Sequence, residues 1–314
     1  MRRKQSSRSK QPASRGNDEG RRRIASILRK HRTGPRRRFG QNFLVDEDVV
    51  SESVEAAEVE ICDMVIEIGP GLGILTRPLL ERAGLVVAIE LDRDLCSILT
   101  EELASFRNLR LINADFLRFD LKQLIKEGDE QFESVKVVAN LPYNLTSPII
   151  SRLIDLRTSL KSAVMMLQRE VAERLSATPG GKDYGSLTVS VQMYADVSHV
   201  ANVPPESFYP MPKVQSSILR MDFLDAPRCQ TDDGCFERVV KAAFSHRRKT
   251  LRNSLASLAD VGVEDSEELL HRAGIDPTRR AETLSISEYA RLAQEYGDWQ
   301  REKEVGLSGL HQPD

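Results

Sequence analysis

The feature that most restricts this chain is a fourfold alternation between residues 64 and 140. Short apolar runs at 64–68, 85–89, 109–113 and 135–139 are separated by stretches with apolar residues at helical spacing. Runs of that length flanked by turn residues are buried strands, and strands alternating with helices imply parallel pairing through crossovers. The fold class is therefore α/β, a doubly wound sheet. Each run ends in a polar or glycine-rich group: Gly69-Pro70-Gly71-Leu72-Gly73, Glu90, Asp115 (just beyond the third run) and Asn140. In such sheets ligands bind outside the carboxyl ends, where the strand order reverses. Four strand ends loaded in this way point to a ligand more than to packing.

The flanking segments extend the pattern. Asp46 is placed to cap a helix carrying Val49, Val50, Val54 and Ala57, and helices are expected over 74–82, 95–103 and 121–126. A fifth strand over 163–167 precedes a helix over 170–175. Segments 187–194, 197–203 and 218–223 alternate well enough to be antiparallel strands completing the sheet. Ala226-Pro227 marks a boundary, after which 235–297 reads as helical, with helices over 236–244, 250–259, 263–273 and 286–295. The polar tail after Tyr296 is expected to fray. The resulting domains are a disordered basic arm (1–35), an α/β domain (36–225), a helical domain (226–297) and a flexible tail (298–314). A short helix over 24–31 is conceivable within the arm.

Charge is distributed unevenly. Residues 1–38 carry 15 Lys/Arg and two acidic residues, a net of +13, and the remainder of the 314-residue chain carries 30 basic and 45 acidic residues, a net of −15. A basic arm on an acidic body suggests nucleic acid, because phosphate neutralisation drives such binding. The four cysteines are too sparse for a disulfide framework, and Cys229 and Cys235 lack a zinc-site spacing. No metal is expected. Neither a membrane span nor a secretory signal is evident, so the expected location is the cytoplasm, although the Arg/Ser-rich start leaves an organellar transit peptide open. His31, His199, His271 and His311 show no ligand spacing. Nothing resembles a dimer seam, and a monomer is expected.

The glycine turn followed by Glu90 about twenty residues later suits a nucleotide, NAD as well as S-adenosylmethionine. Asn140-Leu141-Pro142-Tyr143 is more specific. The Asn140 side-chain oxygen and the Leu141 carbonyl can both accept from an exocyclic amine, Pro142 turns the chain outward, and Tyr143 offers a stacking face. Read without these neighbours, the tetrapeptide is equally an ordinary turn after a strand.

These residues resemble a known family. Segments 40–44 (Gly-Gln-Asn-Phe-Leu), 67–73, 90–92, 113–115, 140–143, 208–214 and 244–251 are similar, in order and over roughly residues 36 to 297, to the ribosomal RNA adenine dimethyltransferases. The later segments resemble the bacterial small-subunit (16S) branch more than the branch acting on large-subunit RNA. The resemblance implies a Rossmann-like class I methyltransferase domain followed by a small all-helical C-terminal domain, with S-adenosylmethionine as methyl donor. It implies a cofactor site of Asn42, Leu44, Gly69, Gly71, Glu90, Asp115 and Asn140, with Gln41 and Asn42 as a flap. Tyr143 and Phe208 are implied to sandwich the target adenine beside Asn140, Leu141 and Pro142, although Phe208 by itself reads as a hydrophobic plug. Arg247, Arg248, Lys249 and Arg252 are candidates for RNA phosphate contacts, against the alternative of a solvated charged face.

The expected activity is N6 dimethylation of two adjacent adenosines in the 3′-terminal hairpin of small-subunit ribosomal RNA, within an assembling subunit. Alternatives are an adenine methyltransferase acting on large-subunit RNA or DNA, a non-catalytic assembly or RNA-binding factor, and an NAD-dependent dehydrogenase.

Overall fold

In the computed structural model, residues 15–36, 40–129, 131–246, 248–258 and 261–308 are described. The elements, in chain order, are α1 (Arg15–Lys30), β1 (Phe43–Leu44), α2 (Glu47–Ala56), β2 (Asp63–Ile68), α3 (Thr76–Leu80), β3 (Leu85–Glu90), α4 (Arg93–Glu102), β4 (Leu109–Asn113), α5 (Leu121–Asp129), β5 (Ser134–Asn140), α6 (Thr146–Asp155), β6 (Ser162–Gln168) and α7 (Arg169–Leu175). There follow α8 (Ser186–Tyr194), β7 (Ala195–Val203), β8 (Phe208–Tyr209), β9 (Ser216–Phe223), α9 (Asp233–Ala243), α10 (Leu251–Leu255), α11 (Val263–Arg272) and α12 (Ile286–Ser308).

Seven strands form one sheet in the order β4-β3-β2-β5-β6-β9-β7, and β1 pairs with β8 in a separate antiparallel ribbon. The pairs β2–β3, β3–β4 and β2–β5 are parallel, as the alternation implied. The chain steps outward from β2 through β3 to β4, then returns to the other side of β2 as β5. The reversal therefore falls between β2 and β5, whose adjacent ends are Gly69 and Asn140.

The contacts divide the chain into two compact units. The first comprises residues 1–146, 163–169 and 200–220, and the second 147–162, 170–199 and 221–314. This differs from a single cut at residue 226. In the first unit, Val65, Val86, Leu79, Leu99, Val138 and Met166 belong to one buried core. Asp46 caps α2 as expected, its Oδ1 accepting from Asp48 N at 3.2 Å, while its Oδ2 accepts from Ser207 Oγ at 2.7 Å.

The largest departure from expectation is in the arm. Residues 15–30 form a four-turn helix in a stretch expected to be disordered because its mean hydropathy is low. What the average hides is spacing. Ile24, Ile27 and Leu28 fall on one helical face, and Ile24 and Leu28 are buried with Phe43, Val45, Leu95 and Ile98, while Ile27, Leu72 and Tyr209 pack around them. Gly20 lets the helix approach closely, since a Cβ there would lie 2.1 Å from the Val45 carbonyl oxygen. Arg21 donates to the Glu206 carbonyl at 2.7 Å, and Lys30 Nζ bridges Glu101 and Glu102 at 2.7 and 2.9 Å. Leu28→Ala is expected to cost about 2–3 kcal/mol of this docking. Limited proteolysis should then cut within residues 15–36 while the remainder keeps its melting temperature, and unchanged resistance would contradict the docking.

The second unit holds two further differences. Residues 186–194 form a helix where a strand was expected. Thr188 Oγ1 accepts from Gly185 N at 3.1 Å and donates to the Arg174 carbonyl at 2.7 Å, which ties down the first turn. Thr188, Val189, Val191, Met193 and Tyr194 are all buried. A helix covered on most sides loses its polar face, and its apolar positions then imitate alternation. At the C-terminus, α12 runs to Ser308 where fraying was expected after Tyr296. Trp299 is buried, its ring 6.2 Å from that of Tyr296, and Lys303 Nζ sits 4.0 Å over it. The rest of this unit is helical as expected, α9 packing on α12 and α10 on α11. Among the described residues, no helix is long and apolar enough to cross a membrane, and the four cysteines are unpaired.

Candidate active site at the sheet switch point

The glycine turn leaves β2 with Gly69, Gly71 and Gly73 all at positive φ (66°, 62° and 80°), a region costly for any side chain. Their surroundings differ. A Cβ on Gly73 would meet Leu99 at 2.8 Å, so that glycine serves packing. A Cβ on Gly69 would meet no heavy atom within 4 Å. The backbone at the end of β2 thus borders open space beside Asn140, where a ligand can come close.

Glu90, at the end of β3, is buried. Its Oε2 accepts from Gly71 N at 3.1 Å and its Oε1 from Asp92 N at 2.8 Å, so the carboxylate ties the glycine turn to the start of α4. Burial raises its pKa above the usual carboxylate range. An ionised carboxylate offers about four acceptor positions, which leaves capacity for hydroxyl donors. Asp115, beyond β4, is half-buried. Its Oδ1 accepts from Leu117 N at 2.9 Å and its Oδ2 lies 3.6 Å from Arg118.

Asn140 closes β5, and its Nδ2 donates to the backbone carbonyl of Asn42 at 3.2 Å. A carbonyl oxygen can only accept, so the contact fixes which end of the amide is nitrogen. Asn140 Oδ1 is left as an acceptor. Leu141 continues the ladder, its N–H donating to the Met166 carbonyl at 3.0 Å. Tyr143 begins a short 3₁₀ turn. Its hydroxyl lies 2.9 Å from Ser216 Oγ, which restrains the ring, and burial raises its pKa.

The loop before β1 is held by a network that local sequence patterns did not disclose. Arg36 Nη1 donates to Asp92 Oδ1 at 2.7 Å, Gln41 Nε2 to Asp92 Oδ2 at 3.1 Å, and Arg36 N to Gln41 Oε1 at 2.8 Å. Arg36 also pairs with Asp94. Asp92, itself buried, therefore links Gln41 to the Glu90 turn. Arg36 and Gln41 lie more than fifty positions from Asp92, which also caps α4 by accepting from Asp94 N. Asn42 folds its own amide back to the Gly40 carbonyl at 3.1 Å, so it meets Asn140 through its backbone.

Two expected side chains lie elsewhere. Phe208 is 1% exposed and belongs to the core with Leu44, Val203 and Ile218. It pairs with Leu44 across the β1–β8 ribbon, and a ring so enclosed presents no face to a base. The hydrophobic-plug reading of Phe208 is the one its environment supports. Leu44 is also 1% exposed. Its side chain serves the core, and only its backbone can border a ligand.

Glu67 is a site-adjacent residue to which the sequence assigned no separate role. It is 1% exposed near the end of β2, and its Oε2 has no hydrogen-bond partner; the buried Thr76 hydroxyl lies close enough to the carboxyl to oppose part of the shift that burial causes. Burial, with the nearby Glu90 charge adding to it, pushes the Glu67 carboxyl up to about 8.

The second unit carries the basic cluster. Arg248 and Lys249 are exposed, whereas Arg252 is ion-paired with Glu267 at 2.8 Å. Arg247 lies outside the described residues.

On four neighbouring parallel strands, the ends run Asp115, Glu90, Gly69, Asn140 across the sheet. At a strand spacing of about 4.8 Å, this row is long enough for a nucleoside with an extended polar substituent. The acidic groups at one end suit an adenine amine and ribose hydroxyls, the bare glycine suits a close-packed linkage, and the Asn140 oxygen offers an acceptor at the other end. That donor set fits S-adenosylmethionine.

Comparison with known proteins shows which family the chain resembles. The family described as ribosomal RNA adenine dimethylase matches residues 33–298. A ribosomal RNA small subunit methyltransferase A of Clostridium botulinum is 48% identical over 268 residues, covering 85% of this chain and 96% of that one. Its namesake in Moorella thermoacetica is 46% identical over 279 residues, covering 87% and 96%. Among solved structures, a dimethyladenosine transferase from Plasmodium falciparum superposes with a TM-score of 0.68 at 26% identity, covering 82% of this chain and 98% of that one. The 23S rRNA methyltransferase ErmE superposes with a TM-score of 0.59 at 28% identity, covering 81% and 99%.

Proposed function

The chain belongs to the ribosomal RNA adenine dimethylase family, and from that premise we propose that it transfers methyl groups to N6 of two adjacent adenosines in the 3′-terminal hairpin of small-subunit ribosomal RNA. The family's methyl donor is S-adenosylmethionine, which supplies an electrophilic methyl group when bound. The small-subunit reading is supported by the relatives that share about half of this chain's residues over nearly their whole length. The assembling subunit is the proposed substrate, the cytoplasm the proposed location and a monomer the proposed form.

The observation that carries the mechanism is the fixed orientation of Asn140. The lone pair of adenine N6 is delocalised into the ring and a poor nucleophile. Asn140 Oδ1 and the Leu141 carbonyl accept the two N6 hydrogens, favouring a pyramidal nitrogen whose lone pair points at the methyl carbon. The N6–C bond forms as the C–S bond breaks, and the proton shed from the cationic nitrogen passes to solvent. Catalysis is then mainly orientation and electrostatics, with no covalent enzyme intermediate. The target base must leave its stack to enter, and Tyr143 stacks on it, offsetting about 1–3 kcal/mol of that cost. Glu90 accepts from the ribose hydroxyls and Asp115 from the adenine amine of the donor, with the backbone of Gly69, Gly71, Asn42 and Leu44 lining the space between. Arg248 and Lys249 contact RNA phosphates.

The test is transfer of labelled methyl groups to small subunits isolated in an undermethylated state. Label recovered as dimethyladenosine from the 3′-terminal hairpin is the expected result. Label in large-subunit RNA alone, or none with either subunit, would overturn the assignment.

A further inference from the structure

Helix α1 lies outside the segment matched by the family, which begins at residue 33. The described cations of residues 17–36, on α1 and the segment after it, divide into two sets. Arg21 and Lys30, with Arg36 just beyond, are spent on holding the segment to its own unit through Glu206, Glu101, Glu102, Asp92 and Asp94. Arg22, Arg23, Arg29 and Arg32 are exposed, and among the described residues none of the four has a carboxylate partner. This is notable on a body whose net charge beyond residue 38 is −15. Four guanidinium groups left unneutralised beside a surplus of carboxylates are available to an outside polyanion.

The helix is also rigidly placed. Its apolar face is docked on Phe43, Val45, Leu95 and Ile98, and Leu72 of the glycine turn and Tyr209 of β8 pack beside it. Its outward face therefore keeps a fixed position relative to the glycine turn and the β1–β8 ribbon. That face carries Arg22, Ser26 and Arg29 and no large apolar residue, because Ile24 and Leu28 are already buried. A membrane-surface helix needs a free apolar face in addition to its cations, and α1 has none to offer. Guanidinium forks match phosphate oxygens.

We propose that the exposed arginines of α1 and of the turn after it, Arg22, Arg23, Arg29 and Arg32, form a docking surface for the phosphate backbone of the RNA substrate. It adds a binding surface to the core enzyme that steers and holds the substrate without taking part in methyl transfer. The proposal rests on the RNA-substrate reading above.

The test compares the full-length protein with an R22A/R23A/R29A/R32A variant. All four positions are exposed, and the variant keeps Ile24, Ile27 and Leu28, so α1 is expected to stay docked, which protease resistance of residues 15–36 verifies. Binding to a small-subunit RNA fragment containing the 3′-terminal hairpin is measured without S-adenosylmethionine, as a function of salt. The slope of log K against log salt should become shallower by about 0.7–0.9 for each phosphate that the variant no longer neutralises, and affinity near 0.1 M salt should fall at least tenfold. In turnover, KM for the undermethylated subunit should rise by a similar factor while kcat and S-adenosylmethionine affinity stay unchanged. An unchanged salt slope and KM would overturn the proposal, as would unchanged RNA binding with weakened affinity for anionic lipid vesicles. Because RNA binding is read separately from turnover, an inactive wild-type protein would count against the proposed reaction and leave the helix test intact.

Discussion

Asn140→Ala is expected to abolish detectable dimethylation while the protein still folds and still binds S-adenosylmethionine. The substitution removes the Oδ1 acceptor that the proposed mechanism uses to localise the N6 lone pair, an interaction that matters most as the nitrogen becomes pyramidal. Losses of a single preorganised electrostatic group typically cost 10²–10³ in kcat, about 2.7–4 kcal/mol. The same change deletes the amide hydrogen bond to the Asn42 carbonyl, so some weakening of donor binding should accompany it. Asn140→Asp separates the two contributions. It keeps acceptor oxygens and discards the donor, setting a carboxylate against the Asn42 carbonyl, and it too is expected to fail. Single-turnover methyl transfer and equilibrium binding of S-adenosylmethionine, measured side by side, check this. A variant that retains more than a tenth of the wild-type rate constant would remove Asn140 from the catalytic centre.

The second large effect concerns stability and pH. Glu67 titrates at about 8 in the folded protein because burial disfavours its charge, against an ordinary value of about 4.3 in the unfolded chain. The folded state thus holds the proton more tightly than the unfolded state. The stability contributed by the protonated Glu67 is complete below the unfolded pKa and is lost progressively as pH rises from about 4.5 toward 8. Summed over that window the loss is on the order of 5 kcal/mol at about 1.4 kcal/mol per pH unit. Glu67→Gln has nearly the same shape and no charge. Its stability should lie close to wild type near pH 5 and exceed it by several kcal/mol at pH 9. Glu90, whose pKa is raised in the same direction, remains in both proteins, so the difference between the two curves isolates Glu67. Urea unfolding at pH 5, 7 and 9 provides the measurement. Parallel stability curves for the two proteins would show that the carboxyl is not held in its neutral form.

The strand–helix alternation was legible because β2, β3 and β5 lie inside the sheet and are largely buried, so their apolar runs need no knowledge of their neighbours, while the edge strand β4, with no buried residue, still shows a short apolar run. The polar strand ends were legible for a related reason. Gly69, Glu90, Asp115 and Asn140 each sit where or just after an apolar run stops, so their positions follow from the runs. Caps such as Asp46 lie within three residues of the groups they satisfy. All of these are short-range consequences of chain geometry.

What required the tertiary structure were the outcomes decided by partners far away in sequence. Residues 15–30 are too polar on average to fold alone, and three apolar side chains became a docked helix because Phe43, Val45, Leu95 and Ile98 offered a matching surface. Residues 186–194 were not legible as a helix because burial on most sides removes the polar stripe that would have marked one. Phe208 precedes a proline-rich turn that looks exposed, yet the ribbon with Leu44 turns its ring into the core. The network of Arg36, Gln41 and Asp92 joins groups that only the crossover from β3 to α4 brings beside the flap. The sequence by itself determined the class of sheet and the chemical character of its ligand edge, since both follow from local pattern. Which side chains face that edge, and which way the Asn140 amide points, depended on long-range packing and on single hydrogen bonds that no periodicity encodes.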